Sequence, residues 1–170
     1  MAQPLAWLVQ RIDRLTVALA HAVRWLAVAM VVATLAIVVL RYGLEIGAIA
    51  LQESVMYMHG ILFLIGIPYG LRQGTHVRVD IFYAKQPLAR QRLINTVGDV
   101  VFLLPLAGFV FVSSLPDTIA SWRVLQGSSE VGGIPAVFLL KTLIPVTAAL
   151  MFLQGLAELG KRYLPREDAT

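Results

Sequence analysis

The chain has no cysteine and few charged side chains. Without cysteine, its 170 residues hold no disulfide, no thiolate metal site and no cysteine nucleophile. Charged residues make up 14% of the sequence and hydrophobic residues 58%. A soluble domain carries about a quarter charged residues, so this composition does not supply enough polar surface to face water. The sequence therefore predicts a protein whose solvent is the lipid bilayer.

Four long apolar runs fit the length of membrane-spanning helices. A helix needs about 20 apolar residues to cross the hydrocarbon core, and backbone groups in lipid must bond within their own segment. The sequence therefore predicts an all-α membrane protein with one domain over residues 1–170. The predicted spans are about 15–40, 51–71, 93–115 and 134–156. The first run exceeds the about 7–15 residues of a signal-peptide core, so we expect it to be retained.

Lys and Arg are distributed unevenly among the segments that connect the spans. The two tails and the second loop hold ten of them: Arg11, Arg14, Arg72, Arg78, Lys85, Arg90, Arg92, Lys161, Arg162 and Arg166. The other two connections hold Arg41 and Arg123. Because Lys and Arg concentrate in cytoplasmic connections, we expect both termini and the second loop to be cytoplasmic. The same distribution argues against a nucleic-acid partner.

The second loop is the main cationic segment on this predicted cytoplasmic side. We expect it to anchor the protein to anionic lipid headgroups, since basic residues beside a membrane are attracted to that surface. The candidate anchor residues are Arg72, His76, Arg78, Asp80, Lys85, Arg90 and Arg92.

The segment before the second span has a weaker apolar pattern than the spans. Leu44, Ile46, Leu51 and Val55 are spaced so that they would line one face of a helix. A helix with one apolar face lies along a membrane interface. We therefore expect an interfacial arm helix before the second span.

Two ionisable residues fall inside predicted spans. Arg24 lies about nine residues into the first span and Asp99 about seven into the third, both counted from the cytoplasmic side. At 1.5 Å of rise per residue, their depths agree within a few ångströms. Ionisable groups are costly in the membrane and usually pair there. We predict that Arg24 and Asp99 pair or share a polar network that braces the helices, with a part in transport as the alternative.

Gln52, Glu53 and Lys141 lie near the opposite, outer boundary. A contact between Glu53 and Lys141 and independent solvation of the two side chains are both compatible with the sequence. Lys141 is long enough to extend its ammonium group to the interface.

His21 and His59 are the histidines inside predicted spans, and two imidazoles can ligate a haem. Ligation requires both rings at one depth, whereas the helix rise places these two about 9 Å apart along the membrane normal. Histidines that serve only as polar side chains are therefore the favoured interpretation. We find no catalytic set and no metal-ligand spacing in the sequence, and we expect no cofactor.

Three sequence features together resemble one membrane protein family. They are Gln52-Glu53 at the start of span two, "GIPYGLRQGTHVRVDIF" leading into the basic loop, and "IPAVFLLKTLIPVTAALMFLQGL" in span four. With four spans over about residues 15–163, the chain resembles the DctQ-like small membrane subunit of tripartite ATP-independent periplasmic (TRAP) transporters. It departs from the family pattern at "GTH", where the Gly and the His are not adjacent.

The resemblance implies a non-catalytic subunit in the bacterial inner membrane. In that family a periplasmic binding protein delivers an organic acid to a large, sodium-binding membrane subunit, which moves it by an elevator motion. The small subunit forms a heterodimer with the large one, packs against its static scaffold and helps to present the docking surface. Gln52, Glu53 and Lys141 would then lie near the outer interface with the large subunit. Sodium would bind in that subunit, not here.

Two other functions remain open from the residues alone. The chain could be an independent four-helix secondary transporter that acts as a homodimer. It could also be a haem-carrying membrane anchor of an enzyme complex, the weakest of the three interpretations.

The absence of cysteine makes the predicted topology directly testable. We expect Lys85→Cys to stay unlabelled by a membrane-impermeant maleimide until cells are lysed, because the positive loop faces the cytoplasm. Ser129→Cys, in the opposite loop, is the matched control and should be labelled without lysis. Labelling of position 85 in intact cells would contradict the predicted orientation.

Overall fold

The computed structural model describes residues 2–74 and 86–163, and it is helical through most of that part of the chain. The helices are α1 (Ala2–Val23), α2 (Trp25–Gly43), α3 (Ile49–Gln73), α4 (Leu88–Val97), α5 (Leu104–Arg123) and α6 (Val137–Tyr163). A π-helical turn, Gly98–Leu103, connects α4 to α5 without a break. The predicted all-α class is confirmed.

Four helices in the described residues are long and apolar enough to cross a membrane. They cover Ala6–Gly43, Ile49–Gln73, Leu88–Arg123 and Val137–Arg162. The four predicted spans are thereby confirmed. The first three helices extend beyond the predicted bounds at both ends, whereas the fourth begins at Val137, three residues after the predicted start, and extends beyond the predicted end. The first span is part of one nearly continuous helix, since only Arg24 separates α1 from α2.

The helices form an open array rather than a closed bundle. α6 packs against α1, α3 and α5, and α2 packs mainly against α3, so that α2 and α5 lie at opposite edges. The first and last helices run side by side to the same end, where Val9 lies against Gly160. We call this the terminal end of the array. The opposite end, which carries residues 44–48 and 124–136, is called the loop end.

Little of the array is buried, and much of its exposed surface is apolar. The buried hydrophobic residues are mostly small: Val9, Ile65, Ala107, Ala148 and Ala157. Large apolar side chains are exposed along every helix that spans, for example Val31 at 70% and Phe109 at 69%. A monomer in water rarely exposes a large contiguous apolar surface. This surface is suited to lipid or to a membrane partner.

The predicted arm helix before span two is wrong. Residues 44–48 are not helical, and Leu51 and Val55 belong to α3, which begins at Ile49. Glu45 adopts φ 57°, a left-handed conformation that ends a helix. The backbone N–H of Ile46 then donates to the carbonyl of Leu40 at 2.9 Å, which folds the chain over the last turn of α2.

The π-helical turn lies immediately before a proline. Pro105 has no N–H to donate, and its ring clashes with the carbonyl four residues earlier in a regular α-helix. Single π turns within α-helices accommodate such irregularities and are frequent at functional positions. Here the turn carries Asp99.

Gly155 lets α6 approach the π turn closely. A Cβ at this position would lie 2.9 Å from Leu103 Cδ2 and 3.1 Å from Leu104 Cδ2, whereas a Cβ on Gly108 would meet nothing within 4 Å. We expect Gly155→Val to lower the free energy of unfolding by about 1–3 kcal/mol through overpacking, measured by thermal unfolding in detergent. Gly108→Val, which adds the same side chain to a helix, should change it much less. Equal losses in the free energy of unfolding from the two substitutions would contradict this close packing at Gly155.

Candidate functional site

The terminal end holds a cluster of polar side chains from three helices. We call it the terminal cluster, and it consists of Asp13, Thr16, Arg72, Gln154, Glu158 and Lys161. The residues from α6 are spaced so that they share one helix face, at i, i+4 and i+7. Residues of α1 and α3 complete the cluster because both helices pack against α6 at this end.

Gln154 lies at the centre of the terminal cluster and is fully buried. Its Nε2 donates to Asp13 Oδ1 and to Glu158 Oε1, each at 3.0 Å. Its Oε1 accepts a hydrogen bond from Thr16 Oγ1 at 2.8 Å. Both amide donors and the amide acceptor are thus paired. A buried amide without partners would cost about 1–3 kcal/mol, so these bonds hold α1 and α6 in one register.

The charges around Gln154 balance one another. Lys161 Nζ lies 2.8 Å from Asp13 Oδ1 and 2.6 Å from Glu158 Oε1. Arg72 Nε lies 3.5 Å from Asp13 Oδ1 and brings α3 into the cluster. Two carboxylates therefore face two cations, which lowers the cost of placing charges beside a membrane.

The predicted pair of Arg24 and Asp99 is wrong. Asp99 Oδ2 lies 2.7 Å from Arg162 Nη2, and both side chains are more than four-fifths buried. The π turn that carries Asp99 packs on α5 and α6, whereas α2, which follows Arg24, packs mainly on α3. Similar depth in the membrane did not place the two residues on neighbouring helix faces.

Arg24 itself is exposed at the junction of α1 and α2. Its guanidinium carbon lies 5.4 Å from the ring centroid of Trp25, within the range of a cation–π contact. The adjacent His21 is exposed as well. This side of the first span therefore presents polar groups outward.

Glu53 ties the loop at the loop end to the start of α3. Its Oε2 accepts a hydrogen bond from the backbone N–H of Ile134 at 2.6 Å, and its Oε1 accepts one from Ser128 Oγ. Gly133 is required beside them, since a Cβ there would lie 2.7 Å from Glu53 Oε1. The loop of residues 124–136 is thus held against α3 by a single carboxylate.

The contact of Glu53 with Lys141, one of the two possibilities left open by the sequence, does not form. Lys141 Nζ instead lies 2.9 Å from Asp117 Oδ2 and joins α6 to α5. The reason is helix order, since Lys141 faces α5 while Glu53 is engaged by the loop. Gln52 is exposed at the same end.

The predicted anchor loop is only partly within the described residues. His76, Arg78, Asp80 and Lys85 lie outside them. Arg72 belongs to the terminal cluster. Arg92 is exposed, and Arg90 is exposed with its Nη1 donating to Gln86 Oε1 at 3.0 Å.

The two intramembrane histidines are both exposed. His59 stacks on Phe63, with ring centroids 6.1 Å apart. In residues 2–74 and 86–163, no group of three or more His, Asp or Glu side chains is arranged to hold a metal ion.

Sequence reasoning missed most of the terminal cluster and the partner of Asp99. The missed residues are Asp13, Thr16, Gln154, Glu158 and Arg162. A usable signal was present, because Gln154, Glu158 and Lys161 recur on one face of the last helix. Arg162 had been counted only as a topology-setting cation.

The described surface includes an apolar groove and a smaller hollow at the loop end. An apolar groove of about 240 Å³ runs between α3, α5 and α6, lined by residues such as Ile67, Ala107 and Met151. A second hollow of about 230 Å³, with a mixed polar and apolar lining, lies at the loop end beside Glu53, Tyr57 and Glu130. The groove offers packing area for an apolar chain, and the hollow offers hydrogen-bond acceptors at the loop surface.

A double-mutant cycle tests the observed partner of Asp99. We expect Asp99→Asn and Arg162→Gln to show a coupling of about 0.5–3 kcal/mol in the free energy of unfolding, because the two charges are in contact. The control cycle pairs Asp99→Asn with Arg24→Gln and should be additive within about 0.5 kcal/mol. Chemical unfolding in detergent provides both measurements. Coupling to Arg24 instead of Arg162 would contradict the observed pairing.

Comparison with known proteins identifies the family. Residues 30–163 match the model of "Tripartite ATP-independent periplasmic transporters, DctQ component". Neither a curated protein nor a solved structure matches the chain. The matched region includes α3, α4, α5, α6 and most of α2, with Glu53, Asp99 and Gln154. The chain belongs to the DctQ family, the small membrane component of TRAP transporters.

Proposed function

We propose that this chain is a non-catalytic small permease subunit that scaffolds the large elevator-type subunit of a sodium-coupled TRAP transporter for organic acids. It would form a heterodimer with that subunit in the bacterial inner membrane, with both termini in the cytoplasm. It would also help to dock the periplasmic substrate-binding protein. Sodium and the transported carboxylate would bind in the large subunit.

The open helix array is the observation that carries this proposal. Its helices bury few large side chains against one another and leave both edge helices broadly exposed. A chain that transports alone needs a site enclosed within the membrane, commonly built from broken helices at mid-depth. The described ion pairs and the hydrogen bonds of Gln154 lie instead near the two ends of the array, where they tie helices together. This arrangement suits a static frame.

The ties at both ends support the role of a frame. The terminal cluster joins α1, α3 and α6, and the pair of Lys141 and Asp117 joins α5 to α6. An elevator motion requires one component that keeps its position while another moves. A helix array braced at both ends can resist deformation when a moving partner pulls on one side.

The loop end supplies a surface for the docking role. With cytoplasmic termini, this end faces the periplasm. Glu53 holds the loop of residues 124–136 in one shape, and the hollow beside it is lined by polar side chains such as Glu130 together with apolar ones. A pre-formed loop is a better docking surface than a mobile one, because less ordering entropy is lost on binding.

Reconstitution separates this proposal from an independent transporter. Proteoliposomes would contain this chain alone, the large subunit alone or both, with the binding protein and an inward sodium gradient. We expect uptake of a radiolabelled dicarboxylate, keto acid or sugar acid only when both subunits are present. The chain alone should stay at background, because the helices in residues 2–74 and 86–163 form an open array without an enclosed polar site at mid-depth. Uptake by the chain alone would overturn the proposal and favour a homodimeric transporter.

A further inference from the structure

The outward face of α2 has the residue spacing of a helix-packing seam. Successive steps of four and three residues place its members on one stripe, the pattern by which two helices interlock side chains. All its apolar members are 46–79% exposed. We call this stripe the Arg24 face, and it consists of Arg24, Val28, Val31, Leu35, Val38 and Tyr42.

α2 already uses the opposite stripe within the chain. Its half-buried residues recur with the same spacing, and α2 packs on α3. The residues with this spacing are Leu26, Met30, Ala33, Ile37 and Leu40, and Ala36 is half-buried beside them. The helix is therefore fixed on one side and open on the other, and a second helix can pack on the Arg24 face without displacing α3.

Arg24 gives the open face a charge that lacks a counterion. Within residues 2–74 and 86–163, Arg24 forms no ion pair. It lies eleven residues after Asp13 on a nearly continuous helix, about three turns or ~16 Å from the terminal cluster. Its N–H still donates to the carbonyl of Ala20 at 3.1 Å, so the helix continues through this point.

Exposure of Arg24 to lipid would be expensive. An arginine near the middle of a spanning helix costs about 3 kcal/mol or more. Arginines in membranes therefore face a protein interior, an acidic side chain or a carbonyl group. The flat ring of Trp25 covers one side of the guanidinium but cannot accept its hydrogen bonds in the ring plane, and no described side chain forms an ion pair with it.

A second copy of this chain is a poor occupant of the Arg24 face. A two-fold dimer places the same patch of both copies in contact. Both copies share one orientation in the membrane, so the two Arg24 side chains would meet. Like charges repel strongly in a medium of low dielectric constant. Charge complementarity therefore favours a different protein, one that supplies an acceptor.

We propose that the Arg24 face binds a transmembrane helix of the large TRAP membrane subunit, and that this helix presents an acidic side chain to Arg24. This assignment rests on the proposed function, and it adds which face of the chain contacts the large subunit. The valines of α2 pack as rigid knobs along the partner helix, and the ion pair fixes its height in the membrane. The opposite edge, formed by α5 residues such as Leu106 and Phe109, faces lipid.

Site-specific photo-crosslinking tests which edge contacts the large subunit. The chain has no native cysteine, so a benzophenone maleimide can be attached to Leu35→Cys or to Phe109→Cys, the control on the other edge. Both subunits are co-expressed, and the purified complex is irradiated. We expect the Leu35 probe to give the heterodimer band and the Phe109 probe to give at least about tenfold less.

The outcomes separate this inference from the proposed function. If the unmodified chain does not co-purify with the large subunit, the proposed function fails. If it co-purifies but the Phe109 probe captures the large subunit and the Leu35 probe does not, only the assigned face is wrong. A homodimer band from the Leu35 probe would also overturn the assignment.

Substitution of Arg24 tests the ion pair. We expect Arg24→Gln to reduce retention of the large subunit at least about tenfold, because it removes the charge that the acidic partner needs. Arg24→Lys should restore part of that retention. The purified chain alone should unfold at the same temperature with or without Arg24→Gln, since Arg24 forms no ion pair with any residue that the structure describes. The proposed ion pair would be overturned if Arg24→Gln retained the large subunit as well as the unmodified chain does. It would also be overturned if the isolated Arg24→Gln chain lost stability to the same extent as the complex loses the large subunit.

Discussion

The packing of this protein depends on the complete burial of the Gln154 amide. A buried amide must find partners for two donors and one acceptor, and the interior of a membrane protein supplies no water to replace them. Asp13 and Thr16 on α1 meet that demand together with Glu158 on α6 itself. The first and last helices can therefore run side by side in only one register. Arg72 extends the same constraint to α3 through Asp13.

Polar contacts fix the register of these helices because apolar packing alone does little to fix how two helices align in lipid. Lipid tails are as apolar as leucine, so apolar helix faces gain little by leaving them, and association depends on close packing and hydrogen bonds. The array follows this rule. Its ends are joined by charged or hydrogen-bonded groups, and its middle is packed through small residues such as Ala107 and Ala148.

Hydropathy predicted the features that follow from position along the membrane normal, which are the spans and the depths of side chains. It missed the features that depend on which helices are neighbours, which are the partners of those side chains. Span number and position follow from the thickness of the bilayer, and the four predicted spans are present. Arg24 and Asp99 were matched by depth, but depth does not say which helix faces meet, and Asp99 is paired with Arg162. Glu53 and Lys141 were placed at one level for the same reason, and each has a different partner. The arm helix failed because apolar spacing does not reveal the left-handed conformation of Glu45.

The distribution of satisfied and unsatisfied charges carries information about what surrounds the array. Asp13, Asp99 and Asp117 are each matched by a cation of the same chain, so these groups make no demand on a partner. Arg24, by contrast, contacts an aromatic ring and forms no ion pair within the described residues, and it immediately precedes α2, the helix whose other side already packs on α3. A subunit built in this way can bind a second membrane protein along one edge without repacking its own helices. The proposed role as a frame for a moving partner requires this property, because the attachment would then transmit force to a braced array and not to a flexible one.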